Sequence, residues 1–233
     1  MEIYSFLLYL LNGLTFGMVL FLIASGLSLI FWGLGVLNFS HGTFYMLGAY
    51  LAYQGVSLFG NFWLALLVAP LLVAAFGAGL EMLLRPVYQR PVAYQLLLTF
   101  GVILVVTDIV KMIWGMAYYS VPYPAPLSDS VPILGRAYPK YNLFITASGL
   151  LVAVGLWLFF QWTHYGRLVR ASASHREMAG ALGINVPRLF TVVFALGAWL
   201  GGVGGVLASP LTAHSLDMAI RIIVEAVAVG GGA

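Results

Sequence analysis

The sequence predicts an all-α fold, a polytopic transmembrane helix bundle, on three observations. Its 233 residues are 62% hydrophobic and 7% charged, far from the roughly half-apolar, quarter-charged balance of soluble domains. Apolar runs near the ~20 residues needed to cross a bilayer recur along the chain. Within two of those runs glycines repeat at four-residue spacing, the pattern that lets membrane helices touch backbone to backbone. So few charges cannot clothe a water-facing surface, even around a large soluble core. Lipid is the expected outer solvent.

In chain order, spans are expected over residues 4–33, 37–59, 62–84, 96–114, 143–162 and 189–207. The second is apolar overall but opens on Asn38, Ser40, His41, Gly42 and Thr43, so it reads as a helix with a polar entrance. Residues 218–232 begin a seventh apolar helix that stops at Ala233. Six spans and a truncated seventh are thus expected in a single transmembrane domain over 1–233. Glu2 is the charge near the start and Arg85 the first basic residue. A cleaved signal peptide would open on a basic region, so the first run should stay as a membrane helix.

Basic residues in short loops favour the cytoplasm. Arg85 and Arg90 follow the third span, and Arg167, Arg170, Arg176 and Arg188 surround the connection 163–187. Both fall on one side if 37–59 crosses, which puts the N-terminus outside the cell. The longest outer loop, 118–140, then holds Arg136, Lys140 and Pro122, Pro124, Pro126, Pro132 and Pro139. Those prolines forbid a continuous helix and predict a stiff cap or docking surface.

Within 163–187, Ser174 and Glu177 have the S-x-x-E spacing of a capping box, which predicts a helix starting at Ser174. Met178, Ala181 and Leu182 then form a small apolar stripe, and Gly183 supplies the left-handed residue that ends the helix. A helix this short needs an external hold. Two readings fit: a coupling helix seated in an ATPase groove, with Arg176 among its residues, or a helix lying on anionic headgroups.

Gly197, Gly201 and Gly205 on the sixth span, with Gly13 and Gly17 on the first, predict close helix packing. Asn38, Ser40, His41 and Gly42 are candidates for lining a translocation path, because polar groups at membrane depth must face the bundle or water. Alternatively Asn38 or Ser40 is the N-cap of the next helix. Glu81 and Arg85 have the spacing of an intrahelical ion pair that anchors a helix end. Asp108 and Lys111 could neutralise one another, or Lys111 could reach outward.

The chain has no cysteine and hence no thiolate chemistry. It lacks G-x-S-x-G and H-E-x-x-H, and neither lysine, Lys111 or Lys140, lies in a Walker A motif. No catalytic residue, metal or cofactor is therefore expected. Ten basic residues without a dense cluster argue against a nucleic-acid partner.

Residues 26–48 (GLSLIFWGLGVLNFSHGTFYMLG) resemble the N-terminal signature of branched-chain amino acid ABC permeases, specifically the shorter permease subunit of the high-affinity leucine/isoleucine/valine system. Residues 81–91 (EMLLRPVYQRP), 170–188 (RASASHREMAGALGINVPR) and the glycine-rich 194–210 fit the same family in the same order. The resemblance implies a non-catalytic permease subunit in the bacterial inner membrane that works by alternating access. Its implied partners are a second permease subunit, two cytoplasmic ATPase subunits and an extracytoplasmic substrate-binding protein. The resemblance also implies that 163–187 is a coupling loop. Relatives continue past the turn at 230–232 through further helices, so the chain reads as truncated. Similar permeases serve urea and short amides, which stand as the alternative cargo. A further rival is an ion-coupled secondary transporter with Asp108, Glu225 or His41 as its ion site.

Overall fold

The computed structural model describes residues 2–88, 90–133 and 136–230. Gly231 and Gly232, part of the final glycine-rich turn, lie outside the described residues. Nine α-helices occur among the described residues: α1 (Glu2–Leu34), α2 (His41–Phe59), α3 (Phe62–Leu84), α4 (Val92–Trp114), α5 (Lys140–Trp162), α6 (His164–Ser174), α7 (Arg176–Ala181), α8 (Val186–Ala208) and α9 (Met218–Gly230). A two-stranded antiparallel hairpin, β1 (Ser130–Ile133) and β2 (Arg136–Pro139), interrupts the helical order between α4 and α5.

Among the described residues, five helices are long and apolar enough to cross a membrane: α1, α3, α4, α5 and α8. The chain is an all-α, multi-pass membrane protein. α2 and α9, expected as a sixth crossing and an interrupted seventh, do not meet that measure of length and hydropathy among the described residues.

Local chemistry explains most helix boundaries. α1 ends at Gly35, whose φ of 68° an L side chain resists, and its N–H donates to the Phe31 carbonyl at 2.8 Å. Asn61 starts α3 by accepting from the N–H groups of Trp63 and Leu64 at 2.9 and 3.2 Å. Between α4 and α5 Pro132 lies inside β1 and Pro139 at the end of β2, while Pro126 sits in a single 3-10 turn over Ala125–Leu127. Lys140 there pairs with Asp129 at 2.9 Å.

α8 forms the core of the bundle, packed against α1, α2 and α3. Its glycines make this possible. A Cβ on Gly197 would lie 2.8 Å from the Gly26 carbonyl of α1, and one on Gly205 would lie 2.1 Å from the Tyr45 carbonyl of α2. A Cβ on Gly201 would approach Phe44 and His41 at 3.0 and 3.4 Å. Among the described residues nothing lies within 4 Å of a Cβ at Gly13 or Gly17, so the packing expected of them is not made there. Among the described side chains of α1 burial begins at Thr15, and the close contact on that helix falls to Gly26 instead.

The two ends of the bundle differ. At the basic end, α1, α3, the α6–α7 segment and the start of α8 converge. At the hairpin end, Tyr119 pairs with His214 through the backbone and the Tyr141 hydroxyl donates to the Leu207 carbonyl at 2.9 Å.

Candidate functional site

The basic end is built on a buried carboxylate. Glu81 in the last turn of α3 has a fully buried side chain, and Arg85 donates to both of its oxygens at 2.8–3.0 Å. The Thr191 hydroxyl of α8 donates to Glu81 at 2.9 Å and accepts from Arg85 at 2.6 Å. The Tyr88 hydroxyl also donates to Glu81, at 3.3 Å. A charge this buried is tolerable because its lone pairs are met several times over. The four-residue spacing foretold the ion pair; Thr191 and Tyr88 carried no pattern that could have announced them.

The connection 163–187 folds as two short helices. Thr163 caps α6 by accepting from the Gly166 N–H at 3.0 Å. Gly166 is required at this corner, where a Cβ would meet the Phe159 carbonyl at 2.3 Å. The helix expected from Ser174 begins instead at Arg176, and the capping box does not form. α6 runs through Ser174 as its last residue, whose hydroxyl donates back to the Arg170 carbonyl at 3.1 Å. Thr163 is the true start signal of the segment. Glu177 remains in the first turn of α7, where a carboxylate suits the helix dipole.

Gly183, with φ 86°, closes α7 in a Schellman motif: its N–H donates to Gly180 and the Ile184 N–H donates to Ala179. Ala179 is the buried residue of this helix. Met178, Ala181 and Leu182 face away from the bundle, with Met178 62% and Leu182 77% exposed.

Arg176 fastens α7 to the bundle. Its guanidinium donates to the Leu34 carbonyl at the end of α1 at 2.6 Å and sits 4.4 Å over the Phe190 ring of α8. It borders a cleft of about 540 Å³ shared with Glu81, Arg85, Tyr88 and Phe190. That inward anchorage was not legible in the sequence.

Asn38, Ser40, His41 and Gly42 come together where α1, α2, α8 and α9 meet. All are buried. Asn38 Oδ1 accepts from the Ser40 N–H and hydroxyl, and Ser40 makes no side-chain cap to α2. The Asn38 side chain thus braces the turn rather than the helix start. His41 Nε2 donates to the Ile23 carbonyl at 3.0 Å, while its Nδ1 and the Asn38 amide nitrogen lack partners among the described residues. A Cβ on Gly42 would fall 1.9 Å from the Ala219 carbonyl, so α9 rests directly on α2 there.

Asp108 and Lys111 form no ion pair within 4.0 Å among the described residues; both are exposed on α4. Of the rival ion sites, Asp108 is on α4 and Glu225 on α9.

Comparison with known proteins accords with this architecture. The family model described as branched-chain amino acid transport system / permease component matches residues 9–232. The high-affinity branched-chain amino acid transport system permease protein BraD of Pseudomonas aeruginosa is 30% identical over 219 residues, covering 88% of this chain and 71% of that protein. LivH of Escherichia coli is 27% identical, covering 87% and 70%. A probable LivH of Methanocaldococcus jannaschii is 29% identical over 235 residues, covering 94% and 72%. No solved structure matches the chain. The match along nearly the whole chain, on a bundle of apolar helices cored by a glycine-rich one, makes this protein a member of the branched-chain amino acid transport permease family.

Proposed function

We propose that the chain is the membrane-spanning permease subunit of an ABC importer for branched-chain amino acids, non-catalytic and driven by partner ATPases. It works with a second permease subunit, two cytoplasmic ATPase subunits and an extracytoplasmic binding protein. The basic end faces the cytoplasm and the N-terminus lies outside. The observation that carries the reading is α7: a helix closed by Gly183 and fastened by Arg176, with Met178 and Leu182 turned outward and exposed among the described residues. Such a face suits a groove on an ATPase subunit.

In the proposed cycle, ATP-driven closure of the ATPases moves α7, and Arg176 passes the displacement to α1 and α8. Asn38, Ser40, His41 and Gly42 sit at the junction whose repacking switches access. Ligands shift such states only through differential contacts, here those of the ATPase groove with α7.

The test is purification of the tagged chain from membranes with its neighbours, followed by uptake of labelled leucine. ATPase subunits should travel with it. Glu177→Arg or Gly183→Pro should abolish uptake while leaving the chain in the membrane. Recovery without any ATPase subunit, or undiminished uptake by both variants, would refute the proposal.

A further inference from the structure

On α9, charge and depth conflict. One face of this helix, Met218, Ala219, Ile222 and Ile223, is buried against α1 and α2. The opposite face carries Asp217 and Arg221, an ion pair at 2.6 Å whose side chains are 61% and 68% exposed. At 100° per residue, Ile220 and Val224 lie beside that pair on the same face, and they too are exposed.

The start of α9 lies deep. Ala219 rests on Gly42, and the neighbouring His41 ring packs on Gly26 of α1 and near Gly201 of α8. Gly201 is in the middle turns of α8. Gly26 precedes the end of α1 at Leu34 by about 12 Å at 1.5 Å per residue. The connection 209–217 therefore returns from the hairpin end into the bundle, and α9 begins well inside a hydrocarbon layer about 30 Å thick. Charges facing lipid at such depth are costly, so this face must border water or a polar surface.

We propose that the exposed face of α9 lines the solute path and that the Asp217–Arg221 pair receives the head group of an amino acid zwitterion. The guanidinium of Arg221 takes the carboxylate and the carboxylate of Asp217 takes the ammonium, each exchanging one ionic partner for another. Ile220 and Val224 lie against the aliphatic side chain. The cost of separating the protein pair is offset by the two charge-assisted contacts made to the ligand. The proposal rests on the importer reading and names where in this subunit that reading binds its cargo.

The absence of native cysteine makes the test direct. The assembled complex in nanodiscs, carrying Arg221→Cys, Val224→Cys or the lipid-facing control Leu151→Cys, is labelled with a charged thiosulfonate with and without excess leucine. The thiols at 221 and 224 should react at least about tenfold faster than the one at 151, as expected for water rather than lipid contact, and leucine should slow the one at 224, where Arg221 is intact. Labelling at 221 and 224 no faster than at 151, or labelling at 224 unaffected by leucine, would overturn the proposal. In uptake, Arg221→Lys should keep activity, whereas Arg221→Gln should lose roughly tenfold or more. Equal uptake by Arg221→Gln and the parent would also overturn it. Labelling requires no turnover, so a parent complex that takes up no leucine refutes the importer reading separately.

Discussion

α8 and α5 are each 23 residues long and each long and apolar enough to cross a membrane, yet they occupy opposite places in the bundle. In its most apolar stretch α8 is 72% buried, whereas α5, of comparable hydrophobicity, is 17% buried. Lipid exerts no hydrophobic drive between helices, so burial goes to the helix that lets its neighbours approach most closely. On α8 that is a matter of glycine. α5 keeps its bulky Leu150, Leu151, Trp157 and Leu158 toward the surroundings.

Matched substitutions test this contrast. Gly205→Leu on α8 drives a side chain into the Tyr45 carbonyl, and should cost about 3 kcal/mol or more. Gly155→Leu on α5, where nothing lies within 4 Å, should change stability by less than about 0.5 kcal/mol. Yield of monodisperse protein and thermal midpoint in detergent measure both. Equal losses at the two sites would break the comparison.

A smaller effect is expected where α8 meets α3 through charge. Glu81→Leu leaves Arg85 and Thr191 without their common acceptor and should cost about 2 kcal/mol, since Arg85 retains access to water. Thermal unfolding of this variant beside Thr191→Val would show whether the network holds the basic end. A Glu81→Leu protein as stable as the parent would mean that it does not.

The smallest effect lies at the hairpin end, in the connection following α8. Burial holds the His214 imidazole at a pKa of about 4, below its ordinary 6.5. An unfolded histidine takes its proton first as the pH falls, so stability from this site is complete above pH 6.5 and is lost progressively toward pH 4. At pH 6 the loss should be about 1 kcal/mol. Comparing thermal midpoints at about pH 7.5 and pH 6, His214→Phe should show a shallower decline than the parent. An identical decline would remove His214 from the account.

The contrast also explains what the sequence could disclose. Apolar runs and terminal signals such as Gly35 and Asn61 act locally, and the expected 62–84 run coincides with α3. The spacing of Gly197, Gly201 and Gly205 marked α8 because close approach repeats once per turn. The same spacing at Gly13 and Gly17 meets no neighbour, because a pattern records what a helix could admit and not what arrives. Ser174 misled for a related reason. Its capping box is a local option, overridden by Thr163, which had already begun a helix running through it. The Arg176 anchorage and the Glu81–Thr191 bond join residues far apart in the chain, and no periodicity encodes them.

The bond from Arg176 to the end of α1 bears on the order of synthesis. Its partners are separated by 142 positions. At about 5–20 residues per second, a ribosome needs on the order of ten seconds to make the intervening chain. Throughout that interval the terminal carbonyl of the first helix awaits its cation, and the first basic residue, Arg85, arrives only as the third helix finishes. α1 is thus made well before the residue that secures its end, and its position in the nascent bundle is settled by residues not yet translated.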